Sequence, residues 1–230
     1  MGRKKIKAII LAAGYSQRIK LKAPKQLVKI GSKPLLAYTL DAFERCRPIS
    51  GIILTVRKKY LGQCRAIVKQ YGYQKVEQLV IGGRTRQQSV FNALSQINDC
   101  DYVIIHDGAR PFVEPRLILE TVKAVKKFAA ASCAVLATDT IVQEAKGYIG
   151  AWLKRNQLWQ IQTPQAFKFS LILKAHQAAR IRGIRDASDD AQLLQTLNKK
   201  VKLIPGSYKN IKITTLADLL LARKLAATNG

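Results

Sequence analysis

Short apolar runs rich in β-branched residues alternate with amphipathic stretches over residues 6–137 of this 230-residue chain. The apolar runs are Ile6–Leu11, Gly51–Val56, Val76–Ile81, Tyr102–His106 and Cys133–Ala137. The amphipathic stretches, with apolar residues near helical spacing, are Leu35–Arg45, Leu61–Tyr71, Gln87–Ile97 and Pro115–Phe128. This alternation predicts an α/β fold with a mainly parallel sheet, helices on both faces and right-handed crossovers. We expect ligands to bind beyond the carboxyl ends of the strands.

The alternation breaks between Thr138 and Gln165. Gly147 and Gly150 flank a predicted tip, and two tryptophans, Trp152 and Trp159, follow it closely. This pattern predicts a β-arm over about residues 138–162. Its aromatic side chains fit burial against a partner subunit and burial in the domain's own core equally well.

The last part of the chain returns to regular patterns. They predict helices near Leu171–Arg180, from about Ser188 and over Thr215–Ala226, and a strand at Lys202–Ile204. Thr214 or Thr215 can cap the final helix, with Asp218 in its first turn.

Length and composition predict one domain over residues 1–230, because 48% hydrophobic residues can form one substantial core. The apolar run near the basic N-terminus is too short for a signal peptide or membrane anchor. The four cysteines, Cys46, Cys64, Cys100 and Cys133, have no CxxC spacing, which favours reduced thiols in a cytoplasmic protein.

The formal charge of +26 attracts anions of every kind, including nucleic acid, membrane lipid and nucleotide. The basic residues are dispersed along the sequence, and no known nucleic-acid-binding motif accompanies them. We therefore expect neither a specific nucleic acid nor a membrane as partner, and a basic solvated surface explains the charge as well as a nucleic-acid site does.

The first apolar run opens into the small-residue turn Ala12-Ala13-Gly14, followed by Arg18 and by Pro24-Lys25-Gln26. Such a turn exposes backbone N–H groups, and the two cations behind it complete a pocket for a nucleoside triphosphate. They can stabilise charge that builds on the α-phosphate as pyrophosphate leaves. Neither GxxxxGK[ST] nor GxGxxG is present. Taken singly, Arg18 and Lys25 also fit a solvated basic surface.

A second motif, from His106 to Pro111 (HDGARP), follows the fourth apolar run. Asp107 can meet a ribose hydroxyl or a metal there, and Arg110 a second anionic group. A local turn in which Arg110 pairs with Asp107 is an equally good interpretation.

The glycine-containing loop GGRTRQQS, from Gly82 to Ser89, follows the third run. Its glycines permit close approach to a base or ribose, and Ser89 supplies a hydroxyl. With only two histidines and no GxSxG motif, acid/base hydrolysis is poorly supported. A phosphate monoester is already an anion, so its attack on a nucleotide needs only alignment, cations and Mg²⁺.

From about Ile6 to the last helix, the chain resembles 2-C-methyl-D-erythritol 4-phosphate cytidylyltransferases. The motifs that carry the resemblance are LAAGYSQR, PKQ, GGRTRQQSV, HDGARPF, TDTI, LKRNQLWQIQTPQAF, SDDA and NIKIT. The opening string is shared by many nucleotidyltransferases, whereas HDGARP, RNQLW, TPQAF and NIKIT are far more specific.

The resemblance implies transfer of a cytidylyl group from CTP to 2-C-methyl-D-erythritol 4-phosphate, with release of pyrophosphate, in the non-mevalonate route to isoprenoids. It also implies a Rossmann-like sheet, a homodimer interlocked by the β-arm, and Mg²⁺ held mainly by the CTP phosphates, with no protein ligand assigned.

The resemblance further implies roles for individual residues. Arg18 and Lys25 correspond to the pair that stabilises the transition state. The residues implied for CTP are Ala12, Ala13, Gly14, Gly83, Arg86, Ser89, Asp107 and Ala109. Those implied for the sugar phosphate, partly across the dimer, are Asp107, Arg110, Thr140, Arg155, Ser188 and Lys212. Arg155 and Lys212 would position the attacking phosphate.

This sequence departs from the family pattern at several positions. Ser16 stands where a second glycine is frequent, Gln17 where a basic residue occurs, and Arg84 where an acidic residue is common. Ser188 preserves the hydroxyl of a frequent threonine. Two alternatives stay open: a cytidylyltransferase for ribitol 5-phosphate or a similar polyol phosphate, and a non-catalytic nucleic-acid-binding module.

Overall fold

The computed structural model describes residues 4–14, 19 and 23–228. Its strands are β1 (Ile6–Leu11), β2 (Lys29–Ile30), β3 (Lys33–Pro34), β4 (Gly51–Val56), β5 (Val76–Ile81), β6 (Tyr102–Asp107), β7 (Ala130–Leu136), β8 (Val142–Ala145), β9 (Tyr148–Trp152), β10 (Trp159–Lys168) and β11 (Lys202–Pro205). Its helices are α1 (Leu35–Glu44), α2 (Leu61–Gln70), α3 (Arg86–Leu94), α4 (Pro115–Phe128), α5 (Phe169–Ile181), α6 (Asp190–Leu193) and α7 (Leu216–Thr228).

Seven strands form the central sheet in the order β11-β7-β10-β6-β1-β4-β5. Every neighbouring pair is parallel except those of β10, which runs antiparallel to β6 and β7. The predicted α/β fold with a mainly parallel sheet is confirmed.

The two faces of the sheet are buried under different helices. Ile10 of β1 belongs to an apolar cluster with Phe43 of α1 and Leu117 of α4. Its neighbour Ile9 belongs to a second cluster, with Val90 of α3. Successive side chains of a strand point to opposite faces, so β1 contributes to both clusters. Burial of each such isoleucine contributes about 1.5–3 kcal/mol.

Several strands and helices begin or end at other residues than the sequence predicted. The predicted strand Cys133–Ala137 begins three residues earlier, as β7, because Ala129 ends α4 in a left-handed conformation (φ 63°) and the chain turns directly into the sheet. The helix predicted from about Ser188 begins at Asp190, with the Asp189 carboxylate accepting from the Ala191 N–H.

The final helix has reciprocal caps at its N-terminus. Thr215 Oγ1 accepts from the Asp218 N–H, and Asp218 Oδ2 accepts from the Thr215 N–H. This capping box selects Thr215 over Thr214 as the cap.

The arm is shorter than predicted. It consists of the hairpin β8–β9, whereas Trp159 begins β10 and pairs with Leu136 of the central sheet. Residues 159–162 therefore belong to the sheet and not to the arm. Gly147 takes a positive φ of 85° at the hairpin turn, as its predicted place at the tip requires. Gly150 lies inside β9 instead of flanking the tip. None of the helices in the described ranges combines the length and the apolar character needed to cross a membrane.

Candidate active site

The turns that follow β1, β5 and β6 meet at the carboxyl edge of the sheet. The Ala12 N–H donates to the Thr55 carbonyl, and the Gly108 N–H donates to the Leu11 carbonyl, each at 2.9 Å. Gly82 lies so close to the first turn that a Cβ at this position would come within 2.3 Å of the Ala13 Cβ. The strands β5, β4, β1 and β6 are neighbours, so their following turns face one shared space.

A cavity of 580 Å³ opens at this edge, and we call it the nucleotide cavity. The predicted site residues that line it are Ala13, Gly14, Lys25, Gly83, Arg86, Ser89, Asp107, Ala109 and Lys212. Lys25 is only 8% exposed, so it is not a solvated surface lysine. Ala12 does not line the cavity, because it packs in the apolar cluster of Ile10.

A smaller cavity of 210 Å³ adjoins the first, and we call it the acceptor cavity. Its walls include the predicted residues Arg110 and Ser188. Arg86, Asp107 and Lys212 line both cavities. The two spaces therefore meet at one carboxylate and two cations.

Asp107 lies at the centre of this cluster of charges. Its carboxylate is 2.8 Å from Lys212 Nζ, 3.4 Å from Arg86 Nε and 3.7 Å from Arg110 Nε. Burial alone would raise the pKa of Asp107, but the three cations outweigh burial and hold the pKa well below its ordinary value. The carboxylate is therefore ionised throughout the neutral range, and it orders the cations around it.

Arg110 is a buried member of the cluster. Its Nη1 donates to the Asn210 carbonyl at 2.7 Å, and its backbone N–H donates to the Asp107 carbonyl at 3.0 Å. This is the local turn considered above, although Arg110 also lines the acceptor cavity. Burial lowers the pKa of Arg110.

Behind Arg86 lies a buried pair that the sequence analysis missed. Arg86 Nη1 donates to Asp190 Oδ2 at 2.6 Å, and His176 Nε2 lies 3.2 Å from Asp190 Oδ1. Burial would lower the pKa of Arg86, but Asp190 and Asp107 raise it above its ordinary value. The only sequence signal for Asp190 was its place in the SDDA motif, far along the chain from Arg86.

His106 is buried beneath the cluster, and its hydrogen bonds fix its protons. The Asp107 N–H donates to Thr163 Oγ1 at 3.0 Å, so the hydroxyl hydrogen of Thr163 is free to donate to His106 Nδ1, also at 3.0 Å. His106 Nε2 then carries its hydrogen toward the Arg110 carbonyl at 3.3 Å. Burial lowers the pKa of His106 to about 3, in keeping with this neutral tautomer.

The loop before α3 is shaped by its own hydroxyls. Thr85 caps the helix by accepting from the Gln88 N–H. Ser89 Oγ accepts from the Gly83 N–H at 3.0 Å and donates to the Thr85 carbonyl at 2.9 Å. Ser89 thus holds the loop that forms one wall of the nucleotide cavity.

Some predicted residues lie elsewhere. Thr140 and Arg155 are exposed at the base of the arm and line neither the nucleotide cavity nor the acceptor cavity. Arg155 Nη1 donates to the Thr138 carbonyl at 3.2 Å. Arg18 falls outside the described residues, as do the departures at Ser16 and Gln17.

The model of the 2-C-methyl-D-erythritol 4-phosphate cytidylyltransferase family matches residues 6–227. The chain belongs to this family. Membership confirms the resemblance, and with it the predicted enzyme class, a cytidylyltransferase, and the predicted function.

Curated members of the family match over nearly full length. The protein of that name from Clostridium acetobutylicum is 42% identical over 97% of this chain and 98% of its own. The one from Geobacillus kaustophilus is 40% identical over 96% of both chains.

Solved structures show the same fold. The 4-diphosphocytidyl-2C-methyl-D-erythritol synthase of Anaerococcus prevotii superposes with a TM-score of 0.87 at 32% identity, over 98% of this chain and 100% of that one. The 2-C-methyl-D-erythritol 4-phosphate cytidylyltransferase of Thermus thermophilus superposes with a TM-score of 0.80 at 31% identity, over 97% of this chain and 99% of that one.

Proposed function

We propose that this chain joins CTP and 2-C-methyl-D-erythritol 4-phosphate at the Asp107 cluster, giving 4-diphosphocytidyl-2-C-methyl-D-erythritol and pyrophosphate for isoprenoid precursor synthesis. The observation that carries the proposal is the junction of two unequal cavities at Arg86, Asp107 and Lys212. The larger suits a nucleotide, and the smaller suits a polyol phosphate. Their common wall is where the reacting groups meet.

We assign the binding of CTP to the turns after β1, β5 and β6. Backbone groups at Ala13 and Gly14 hold the triphosphate, together with Lys25, while Ala12 anchors their turn through its bond to the Thr55 carbonyl. Gly83, Arg86 and Ser89 shape the space for cytosine and ribose, while Asp107 and Ala109 lie near the ribose. Arg18 joins Lys25 as the second stabilising cation, an assignment supported by its motif alone.

The acceptor half is assigned to Asp107, Arg110, Ser188 and Lys212, which line the smaller cavity. Thr140 and Arg155 line neither the nucleotide cavity nor the acceptor cavity. We therefore assign them to the acceptor site of a partner subunit, reached by the arm, with Arg155 acting alongside Lys212 to position the phosphate.

The chemistry is an in-line displacement. An oxygen of the acceptor phosphate forms a bond to the α-phosphorus of CTP, and the bond from that phosphorus to the bridging oxygen of the β-phosphate breaks. Pyrophosphate leaves with the electron pair of that bond. The nucleophile is already an anion, so no general base is needed. Lys25 and Lys212 neutralise charge that develops in the transition state.

A divalent cation fits this site when it is coordinated by the nucleotide and not by protein side chains. Asp107 Oδ1 faces Arg86, and its Oδ2 faces Arg110 and Lys212, so both oxygens are occupied. Within the described ranges, no group of three or more His, Cys, Asp or Glu side chains is placed to hold a metal ion. We assign Mg²⁺ to the CTP phosphates, where it would neutralise their charge and orient them.

The arm supports a homodimer. Tyr148 is 81% exposed, Trp152 69% and Ile149 56%, all on the hairpin β8–β9. Several large, exposed apolar side chains on one hairpin favour an interaction site. We propose that the arm packs on a second copy of the chain, and that residues 1–230 act as one cytidylyltransferase domain. A cytoplasmic location is supported by the four cysteines, which are all free thiols.

The deciding experiment follows pyrophosphate release by the purified protein with CTP and each of two acceptors. We expect turnover with 2-C-methyl-D-erythritol 4-phosphate and little with ribitol 5-phosphate. Activity with ribitol 5-phosphate alone would overturn the acceptor assignment in favour of the polyol phosphate alternative. No turnover with either, together with tight and steeply salt-dependent binding of nucleic acid, would favour the non-catalytic alternative.

A further inference from the structure

A third cavity, of 680 Å³, lies between α3, α5 and the segment that follows α5. Its walls carry three arginines, Arg84, Arg180 and Arg185. Among the residues that the structure describes, no carboxylate pairs with any of these guanidiniums. Three cations around one concave space, without internal counter-charges, favour an anionic ligand. We call this space the arginine cavity.

Part of the arginine cavity is held rigid by stacked rings. The Arg180 guanidinium lies 4.4 Å from the centre of the Phe91 ring, and the Phe91 ring stacks on His176 with 6.3 Å between ring centres. A cation fixed over an aromatic ring loses less conformational freedom when a ligand binds.

His176 supplies an independent sign of a missing ligand. The residue lines the arginine cavity and is fully buried. Its Nε2 faces Asp190, but its Nδ1 has no hydrogen-bond partner among the described residues. Buried polar atoms without partners are rare in native proteins. This nitrogen, on a wall shared with three arginines, can pair with a hydrogen-bonding group of a ligand.

The arginine cavity is also connected to the nucleotide cavity. Arg84 and Thr85 line both spaces. A chain of polar contacts runs from His176 through Asp190 and Arg86 to Asp107. A ligand in one cavity therefore contacts the same loop, at Arg84 and Thr85, as a ligand in the other.

We propose that the arginine cavity binds a small organic anion with two phosphate groups, and that its occupancy weakens binding of CTP. Two phosphates match three guanidiniums, while Phe91 and Ile184 offer apolar contact for a carbon skeleton. An anion beside Arg84 reduces the positive potential that attracts the triphosphate. The coupling between the sites rests on the proposed CTP function; the anion site itself does not.

The anion site is tested by calorimetric titration with fructose 1,6-bisphosphate as probe. We expect one saturable site per chain in the wild type, and at least tenfold weaker binding in Arg180→Ala/Arg185→Ala. Arg182→Ala is the matched control, because Arg182 is exposed at the end of α5 and does not line the cavity. Absence of saturable binding in the wild type overturns the proposal. So does equal weakening by the control, which indicates diffuse attraction to a basic surface.

The coupling is tested by titrating CTP at increasing probe concentrations. We expect the Kd for CTP to rise to a plateau about fivefold or more above its starting value, because coupling between two sites saturates. A rise without a plateau means that the probe competes in the nucleotide cavity, and an unchanged Kd removes the coupling. If the wild type binds no CTP at all, the proposed function fails, while the comparison of arginine variants still decides the anion site.

Discussion

Lys212 Nζ lies 2.8 Å from Asp107 Oδ2, and both side chains border the nucleotide cavity and the acceptor cavity. The carboxylate holds the ammonium at the junction, where it can face either phosphate. Asp107 therefore neutralises the neighbouring cations in the free protein. Under the proposed function, it also fixes their positions for two anionic substrates.

Replacing the Asp107 carboxylate should lower the free energy of unfolding. In Asp107→Asn, Arg86, Arg110 and Lys212 lose a common partner, and breaking a buried charge pair costs about 3 kcal/mol or more. Urea unfolding measures the effect. The control is Asp99→Asn, which removes an exposed carboxylate that pairs with Lys5 and should leave stability nearly unchanged. Equal losses in both variants would contradict the central role of Asp107.

Lys25→Ala should slow the chemical step. Lys25 is buried on the wall of the nucleotide cavity, so its charge acts in a poorly hydrated space. We expect kcat to fall by about 10²–10³-fold, with a smaller change in KM and an unchanged circular dichroism spectrum. Lys29→Ala, an exposed lysine on β2, serves as the control. An unaffected rate in Lys25→Ala would reject the proposed role.

Ser89→Ala should weaken CTP binding through the loop. The Gly83 N–H and the Thr85 carbonyl both lose their partner hydroxyl, and one buried hydrogen bond is worth about 1 kcal/mol. The KM for CTP should rise about fivefold, and kcat should change less. Ser95→Ala, at the C-terminal cap of the same helix, removes an exposed hydroxyl bond to the Phe91 carbonyl and lies outside the nucleotide cavity. A KM change shared by both variants would refute the specific effect.

His106 should make stability depend on pH. Its pKa is about 3 in the folded chain and about 6.5 when unfolded, so below pH 6.5 the unfolded state binds a proton that the folded state does not. Its contribution is present above pH 6.5 and is lost as pH falls toward 3. Between pH 6 and pH 4.5, the wild type should lose about 1.4 kcal/mol per pH unit more than His106→Gln. Unfolding curves of equal pH slope would contradict this prediction.

Titration of Asp107 changes the stability at lower pH than titration of His106 does. Its depressed pKa gives stability that is present above the ordinary carboxyl range and is lost only as pH falls through the lowered value. The His106 comparison is therefore not masked by titration of Asp107.

The arm should control assembly. Tyr148→Ser/Trp152→Ser removes two exposed aromatic side chains from the hairpin, and we expect monomers by light scattering at micromolar concentration with much reduced activity. Ile181→Ser is the control, since Ile181 is 87% exposed at the end of α5, away from the arm. A fully active monomeric wild type would contradict both the dimer and the role of Arg155 across it.

Local patterns predicted most of the sheet because strand and helix periodicity are local properties. The bounds of β1, β4, β5 and α4 agree with the predicted segments. Trp159 shows the limit: its aromatic ring suggested the arm, whereas its pairing with Leu136 depends on a strand more than twenty residues earlier. The sequence of one segment does not specify a strand partner so far away in the chain.

Site residues that belong to one sequence motif could be predicted. Site residues that come together only through the fold could not. Asp107 stands at a strand end within HDGARP, so its place at the sheet edge could be anticipated. Asp190 and His176 could not, since their relation to Arg86 arises only when α5 and α6 pack beside α3. The hydroxyl of Ser89 was expected at the ligand, and its bonds to Gly83 and Thr85 could not be predicted because they depend on the fold of the loop.

The reversed direction of β10 separates the linings of the two cavities. Because β10 runs against β6, its first half, with Ile161, Gln162 and Thr163, arrives at the edge where the parallel strands finish. These side chains line the acceptor cavity and not the nucleotide cavity. Under the proposed function, substitutions in this part of β10 would change the alcohol phosphate that is accepted and leave the residues around the nucleoside triphosphate intact.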